Sequence, residues 1–465
     1  MLTYVLKENS DPLYEQLYRA LKRDILRGRL ASGQKLPSKR TFAGNLGVST
    51  ITVQNAYEQL MSEGYVIAKP RQGFYVADLV ITQALKPDKK RMQPIALPET
   101  TPFSGIDLSD ARMDPSHFPF SVWAKLLREA LSHRKEALMT ASQTGGVREL
   151  REAIAEHLAS FCAMPVDPDQ IIVGAGTEYL YGLLVQLLGK EKIYCVENPG
   201  YRKPVLIYRR FGCTCRFAAM DAKGISMRDV RRTRADVVQL SPNHHFPTGR
   251  TMPAERRYEM LAWAAEKPGR LIVEDDYDSE FRPSGKPLPT LFSMASHGKV
   301  IYMNTFSKSL TPTIRISYMV LPPDLAQQFY EELSFYACTV SNFEQYTLAA
   351  FIRRGYFEKH INRMRLFYRR RRQQILEAFA ASPLSQHSEI LENESGLHFL
   401  LQVHTSLSDR ALQEKLHKKG VRMVPVSSYD LTGKQRDSHL FLIQYANLLP
   451  QKASEAFHIL DEAAL

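Results

Sequence analysis

In residues 13–27 apolar side chains recur at every fourth position, Leu13, Leu17, Leu21 and Ile25, with charges between them. That spacing predicts an amphipathic helix, opened by Asp11 and Pro12. The loop GRLASGQKLP follows, and then two shorter helical stretches. One begins after Pro37 and Ser38 and ends at Leu46 and Gly47; the other runs from about Ser49 to Ser62. Only Gly47 and Val48 separate them, the spacing of a helix-turn-helix. Two β-rich runs, 65–68 and 74–77, flank a turn holding Pro70, Arg71 and Gly73. Three helices and a hairpin predict a winged helix over residues 1–78.

Periodicity then lapses. Residues 79–104 carry Pro87, Pro94, Pro98 and Pro102 and the basic cluster Lys89, Lys90 and Arg91, and are expected to form a linker. Over 105–465 helical patterns alternate with short apolar runs such as QIIVGAG, KIYCVE, DVVQLSP, RLIVEDD and KVIYMN. Such alternation predicts an α/β domain with a mainly parallel sheet. From about Phe351 the chain reads as a long arginine-rich helix followed by a smaller α+β part.

Composition adds limits. The 465 residues are 44% apolar and 24% charged, enough to bury more than one core. Five cysteines at irregular spacing do not make a disulfide framework and suit a reducing compartment. No run approaches the roughly 18 apolar residues of a membrane span. The first residues also lack the basic-then-apolar order of a signal peptide, so a cytoplasmic protein with no membrane partner is expected. With 61 Lys+Arg against 49 Asp+Glu the net charge is +12, compatible with a polyanionic partner.

A helix-turn-helix reads DNA through short polar side chains at the start of its second helix and holds phosphates through nearby donors. Ser49, Thr50, Thr52 and Gln54 are placed to read base edges; Ser38, Lys39 and Arg40 open the preceding helix; Arg71 and Gly73 sit at the wing tip. The stretch KLPSKRTFAGNLGVSTITVQNAYEQLMSEGYV resembles the DNA-binding domain of GntR-type bacterial transcription regulators. That resemblance implies double-stranded operator DNA as a partner. Thr50, Ile51 and Gln54 stand where such proteins often carry an arginine, so the operator is not transferable from a relative.

In the second domain, Lys308 lies between serines after an apolar run, a setting where burial exposes a neutral amine able to form a Schiff base with an aldehyde. Upstream, RLIVEDDYDSEF sets Asp275 to face the pyridinium nitrogen of pyridoxal 5′-phosphate (PLP) and Tyr277 to stand beside its O3′. In IIVGAGTEYL, Gly176, Thr177 and Glu178 offer backbone N–H groups to a phosphate at a helix N-terminus, with the Glu178 side chain expected to point away. Tyr201 presents a face for stacking on the ring.

In order, these segments resemble a fold-type I aminotransferase. With GTEYL, NPGY, FPTGRTMP, EDDYDSEFRP and FSKSLTPTIRISY behind a GntR-type head, the whole chain is similar to the MocR/GabR-type regulators. The resemblance implies that Lys308 carries PLP, that Asp275 and Tyr277 hold its ring, and that Ser307 and Arg315 hold its phosphate. It also implies a homodimer, head-to-tail. Three positions depart from working aminotransferases. Phe246 replaces the asparagine before Pro-Thr-Gly, Leu442 replaces the arginine that clamps a substrate carboxylate, and Ala141 replaces a tyrosine that reaches the neighbouring subunit's phosphate.

A sensor is therefore expected rather than a turnover enzyme, its operator binding responding to PLP or to an amine or amino-acid effector that forms an aldimine there. The alternatives are an active aminotransferase with an added reading head, or a regulator of vitamin B6 metabolism sensing PLP alone. Arg202, Lys203 and Arg422 are candidates to meet an acid group on the effector. Glu274, Asp276 and Asp278 are expected to be solvated or structural. His244 and His245 lack a third metal ligand, Cys213 and Cys215 lack a second cysteine pair, and no metal is expected. Arg369 to Arg372 are expected on a solvated helix face or a subunit interface.

Overall fold

Leu17, Leu21 and Ile25 are all buried, with Phe42, Val53, Tyr57 and Leu60 closing a small core around them. In the computed structural model, which describes residues 2–6, 11–79, 95, 103–110, 112–281, 288–391, 396–434 and 436–464, that core belongs to the first of two units, Met1–Thr101 and Pro102–Leu465. The unit holds α1 (Leu13–Leu26), α2 (Lys39–Leu46), α3 (Thr50–Ser62) and the antiparallel hairpin of β1 (Val66–Lys69) and β2 (Gly73–Val76). Ser38 and Ser49 cap α2 and α3 by accepting from the N–H groups of Thr41 and Thr52. Gly47, at φ 67°, supplies the left-handed residue that turns one helix into the next. Most of the expected linker, residues 80–94 and 96–102, lies outside the described residues.

The second unit is built on an eight-stranded sheet in the order Ile171–Gly174, Ser317–Val320, Val300–Thr305, Leu271–Asp275, Val237–Leu240, Ile193–Asn198, Thr214–Asp221, Gly224–Ile225. From Val300–Thr305 through to Thr214–Asp221 neighbouring strands run parallel. The first two and the last strand pair antiparallel, so the sheet is mainly parallel. The five apolar runs read from sequence are five of these strands. Ser317–Val320, four buried residues, is a further strand of this sheet.

The long basic helix spans Tyr356–Ala380 and is separated from the helix Asn342–Arg353 by Gly355, at φ 73°. Phe351 therefore belongs to the preceding helix, not to the start of the arginine-rich one. Beyond it, Ser388–Leu391, His398–Val403, Leu440–Gln444 and Val424–Pro425 form an antiparallel four-stranded sheet. Ile106–Asp107, near the start of the unit, pairs in parallel with Val421–Arg422. Among the described residues no helix is long and apolar enough to cross a membrane.

Candidate functional site

Parallel strands deliver their last residues to one edge, where α/β sheets hold ligands. Here that edge borders a cavity of about 340 Å³, whose lining includes Thr177, Glu178, Tyr201, Asp275, Tyr277, Ser307, Lys308 and Arg315. Nearly all the residues expected to hold a cofactor are thus gathered in one place. Gly176 stands beside it, touching Arg315.

Lys308 sits on the one-turn helix Phe306–Ser309, directly after the strand Val300–Thr305. Thr305 fixes that turn by accepting from the Ser307 N–H at 3.1 Å, and Ser317 Oγ donates to Thr305 Oγ1 at 2.8 Å. Burial pushes the Lys308 amine below its usual range, only partly opposed by Asp278. Asp275 ends its strand with Oδ2 accepting from Tyr181 Oη at 2.5 Å, while Oδ1 is buried with no partner. Burial raises its carboxyl to about 6 against the pull of the Tyr181 hydrogen bond. Ser307 Oγ is likewise buried and unpartnered.

Arg315 adopts φ 51° and reaches across to the helix Thr177–Leu188, whose N-cap is Gly176. Gly176 is at φ 93°, a backbone conformation that favours glycine, and the Arg315 guanidinium lies close against it. The expectation that Glu178 points away is corrected. Its carboxylate lines the cavity and accepts from Arg315 Nη2 at 2.8 Å and from Lys203 Nζ, drawn inward by the two positive charges. Their attraction holds the Glu178 carboxyl below its usual range, the Lys203 hydrogen bond being the largest cause.

The effector candidates separate. Lys203 lines the cavity but is paired with Glu178. Arg202 is exposed at the start of its helix and is not among the lining residues. Arg422 is not there either: it pairs with Asp107 at 3.0 Å, lies over the Phe103 ring, and borders a different hollow with Glu414 and His417. Its strand partner Ile106–Asp107 dictates this, a pairing more than 300 residues apart in sequence. Aromatic and apolar side chains line one wall of the cavity. The Phe246 ring meets Tyr201 at 6.2 Å and Tyr429 at 5.0 Å and packs on the cluster containing Leu442.

Sequence reasoning passed over several lining residues: Ser109, Tyr181, Glu197, Tyr429 and Gln444. Tyr181 was within reach, since it stands four residues after Thr177 on one helix and so shares its face. Glu197 is buried on the cavity wall, accepts from the Ser241 N–H at 3.0 Å and has its carboxyl raised by burial to about 8. Glu274, Asp276 and Asp278 are buried rather than solvated. Glu274 accepts from the Leu291 and Phe292 N–H groups, and Asp276 from Asn243 and Tyr302. His244 Nδ1 lies 2.7 Å from Asp278 Oδ2, and His245 Nδ1 lies 2.7 Å from Thr248 Oγ1. Ala141 is exposed. Arg369 and Arg370 are exposed, whereas Arg371 donates to the Leu448 carbonyl.

In the first unit Arg40, Thr50 and Arg71 are exposed and Gly73 half-buried. Ile51, on the first turn of α3, is 67% exposed. Thr52 shares a hydroxyl contact with Ser49. Gln54 accepts from Lys39 Nζ at 3.2 Å and donates to Glu58 at 2.8 Å.

Two family models match the chain: "Bacterial regulatory proteins, gntR family" over residues 13–76 and "Aminotransferase class I and II" over residues 105–458. Across nearly its whole length the chain is similar to the probable rhizopine catabolism regulatory protein MocR of Rhizobium meliloti, 32% identical with 99% of this chain and 96% of that protein covered. The chain belongs to the MocR-type HTH transcriptional regulators. The HTH-type transcriptional regulator YdeL of Bacillus subtilis (strain 168) is 40% identical, covering 90% of this chain and 89% of its own. The pyridoxine biosynthesis regulator PdxR of Corynebacterium glutamicum is 31% identical, covering 85% and 86%. Among solved structures, Pyrococcus horikoshii kynurenine aminotransferase matches with a TM-score of 0.69 and 25% identity, over 77% of this chain and 90% of that one. The MocR-type regulator thus carries a DNA-binding head of the GntR type and a body with the aminotransferase fold.

Proposed function

We propose that the chain is a PLP-binding transcription regulator whose operator affinity responds to a small amine taken up at the cofactor. The observation that carries this reading is the pair of buried, unpartnered oxygens, Asp275 Oδ1 and Ser307 Oγ, gathered around a buried Lys308 in one cavity. A pyridinium N–H and a phosphate oxygen are the complements that these two oxygens, lying in the same cavity as Lys308, would take. Lys308 would bond the aldehyde, Asp275 the ring nitrogen, Tyr277 the phenolic oxygen, Tyr201 the ring face, and Gly176, Thr177, Ser307 and Arg315 the phosphate. When bound, PLP supplies an aldehyde that exchanges one amine for another and a ring that withdraws electrons.

The chain's own residues favour recognition over turnover. Among the described residues the cations lining the cavity are Lys203 and Arg315, both tied to Glu178, and Lys308 itself. Among these residues an α-carboxylate finds no clamp beside Phe246, Tyr429 and Leu442, which favours an effector amine with an apolar body. Sensing changes DNA affinity only if PLP or the amine binds two states of the protein unequally, a coupling typically of about 1–3 kcal/mol. A homodimer presenting two heads to two half-sites supports such a switch, and the cytoplasm is its setting. The similarity to PdxR supports a second reading, in which PLP alone is the signal.

The test is the visible absorption spectrum of the full-length protein with PLP, before and after borohydride, beside Lys308→Ala. A reducible band lost in the variant is expected; no band overturns the cofactor assignment. Operator titration with PLP alone and with PLP plus amine then separates the two readings, and identical affinity throughout overturns the switch.

A further inference from the structure

The segment after Asp275 holds a second arrangement that the cofactor-holding residues do not account for. His244 Nδ1 lies 2.7 Å from Asp278 Oδ2 and 3.0 Å from Tyr277 Oη. His244 and Asp278 are buried, and Tyr277 lines the cavity. We propose that Asp278 and His244 act as a positioning pair that turns the Tyr277 hydroxyl proton into the cavity. This rests on the reading that the cavity holds PLP.

Donors and acceptors fix the direction of each of these contacts. A carboxylate only accepts, so the short contact to Asp278 requires a hydrogen on His244 Nδ1. A ring nitrogen that carries hydrogen has no lone pair to offer Tyr277. Among the described residues Tyr277 Oη has no other hydrogen-bond partner, so it accepts from the same N–H and keeps its own hydrogen for the cavity. Asp278 thereby does indirectly what a direct contact with Tyr277 would undo.

The imidazole is closely packed on both sides. A Cβ on Gly396, which is at φ 76°, would run into the His244 ring. The ring of His398 lies 4.6 Å from it, and His398 Nε2 is itself anchored 3.1 Å from the Pro247 carbonyl. His244 Nε2 is buried without a partner, which suits the bare lone pair of the Nδ1–H tautomer and would leave a second N–H unmet. Other groups face this trio. Asp275, Asp276 and Glu197 act on Tyr277; His245 and His398 face His244; Lys308 feels Asp278.

The consequence concerns the phenolic oxygen of a pyridoxal ring, which lies next to the aldehyde carbon. A hydrogen bond donated to that oxygen lowers its basicity, and with it the pH at which the adjoining Lys308 nitrogen gives up its proton. The decisive experiment follows the visible absorbance of the PLP-loaded, full-length protein against pH, for wild type, Tyr277→Phe, Asp278→Asn and the double variant. Asp278→Asn is nearly isosteric but frees the other tautomer, letting Tyr277 donate inward.

Tyr277→Phe is expected to raise the titration midpoint by about one pH unit; Asp278→Asn raises it by less, since it also removes a carboxylate that favours the charged Lys308 nitrogen, and the double variant raises it no more than Tyr277→Phe alone. A wild-type midpoint in Asp278→Asn, or shifts that add in the double variant, overturns the pairing; a loosened site would lower PLP affinity without moving the midpoint. A second readout needs no cofactor: the 15N spectrum of His244 should report Nδ1–H in wild type and lose it in Asp278→Asn. An Nε2–H signal in wild type overturns the pairing. Failure of wild type to form any borohydride-reducible band instead overturns the cofactor reading and the role toward it.

Discussion

Glu178 Oε2 lies 2.8 Å from Arg315 Nη2, a carboxylate resting where a phosphate is expected. It competes with that phosphate for Arg315 and for Lys203 and repels it as well. Both partners are more than a third exposed, so water screens the pair and the effect is modest. Glu178→Gln is expected to tighten PLP binding about threefold, measured by titrating the cofactor absorbance. Weaker binding would mean that the carboxylate aids the site.

Asp275 gives a pH signature in the cofactor-free protein. Its carboxyl is raised from 3.8 to about 6, mainly by burial. A raised carboxyl holds its proton more tightly when folded, so its contribution to stability is complete below about pH 4 and is lost as the pH climbs through about 6. Asp275→Asn escapes that loss. Its melting temperature relative to wild type should rise between those limits and stay level above them, and a flat difference across the range would refute the assignment.

Leu442 lies on the cavity wall with Phe246 and Tyr429. Wild type should respond to 2-phenylethylamine at lower concentration than to phenylalanine, which differs only by its carboxylate. Leu442→Arg should narrow or reverse that order by about tenfold, because a guanidinium fork meets a carboxylate in two hydrogen bonds. Cofactor absorbance against ligand concentration reads both. A wild-type preference for phenylalanine would show that a carboxylate is bound after all.

On the reading head, Ile51 and Arg71 should fail differently. Ile51 offers an apolar, 67% exposed surface suited to a thymine methyl. Ile51→Ala should cost binding on selected operator duplexes but little on random DNA, and replacing the contacted thymine by uracil should mimic it. Arg71→Ala should weaken both alike and reduce the slope of log affinity against log salt by about one. Equal effects of the two variants on both DNAs would remove the distinction.

What the sequence made legible follows sequence distance. The winged helix reads cleanly because its helices, caps and hairpin are set by residues a few positions apart, such as Ser38 with Thr41 and Ser49 with Thr52. Lys308, Asp275 and Thr177 are legible because each stands at or just after the end of a strand that leads to the ligand edge. Tyr429 and Gln444 reach the same cavity from the C-terminal part, and no local pattern announces contacts that distant. Arg422 was misplaced for the same reason, its neighbour Asp107 being invisible from its own surroundings. Glu178 failed differently, since its position was right and only its direction depended on which cations stood nearby.

The short parallel pair of Ile106–Asp107 with Val421–Arg422 is more than a detail of the sheet. Ile106 donates to the Gly420 carbonyl, Leu108 to the Arg422 carbonyl, and Gln444 to the Leu108 carbonyl, each at 2.7–2.9 Å. The chain's entry into its second unit is therefore sewn to the same C-terminal strands that carry Leu442 and Gln444 to the cavity wall. A ligand that presses on Leu442 or Gln444 therefore presses on the very strands that hold the first residues of the second unit in place.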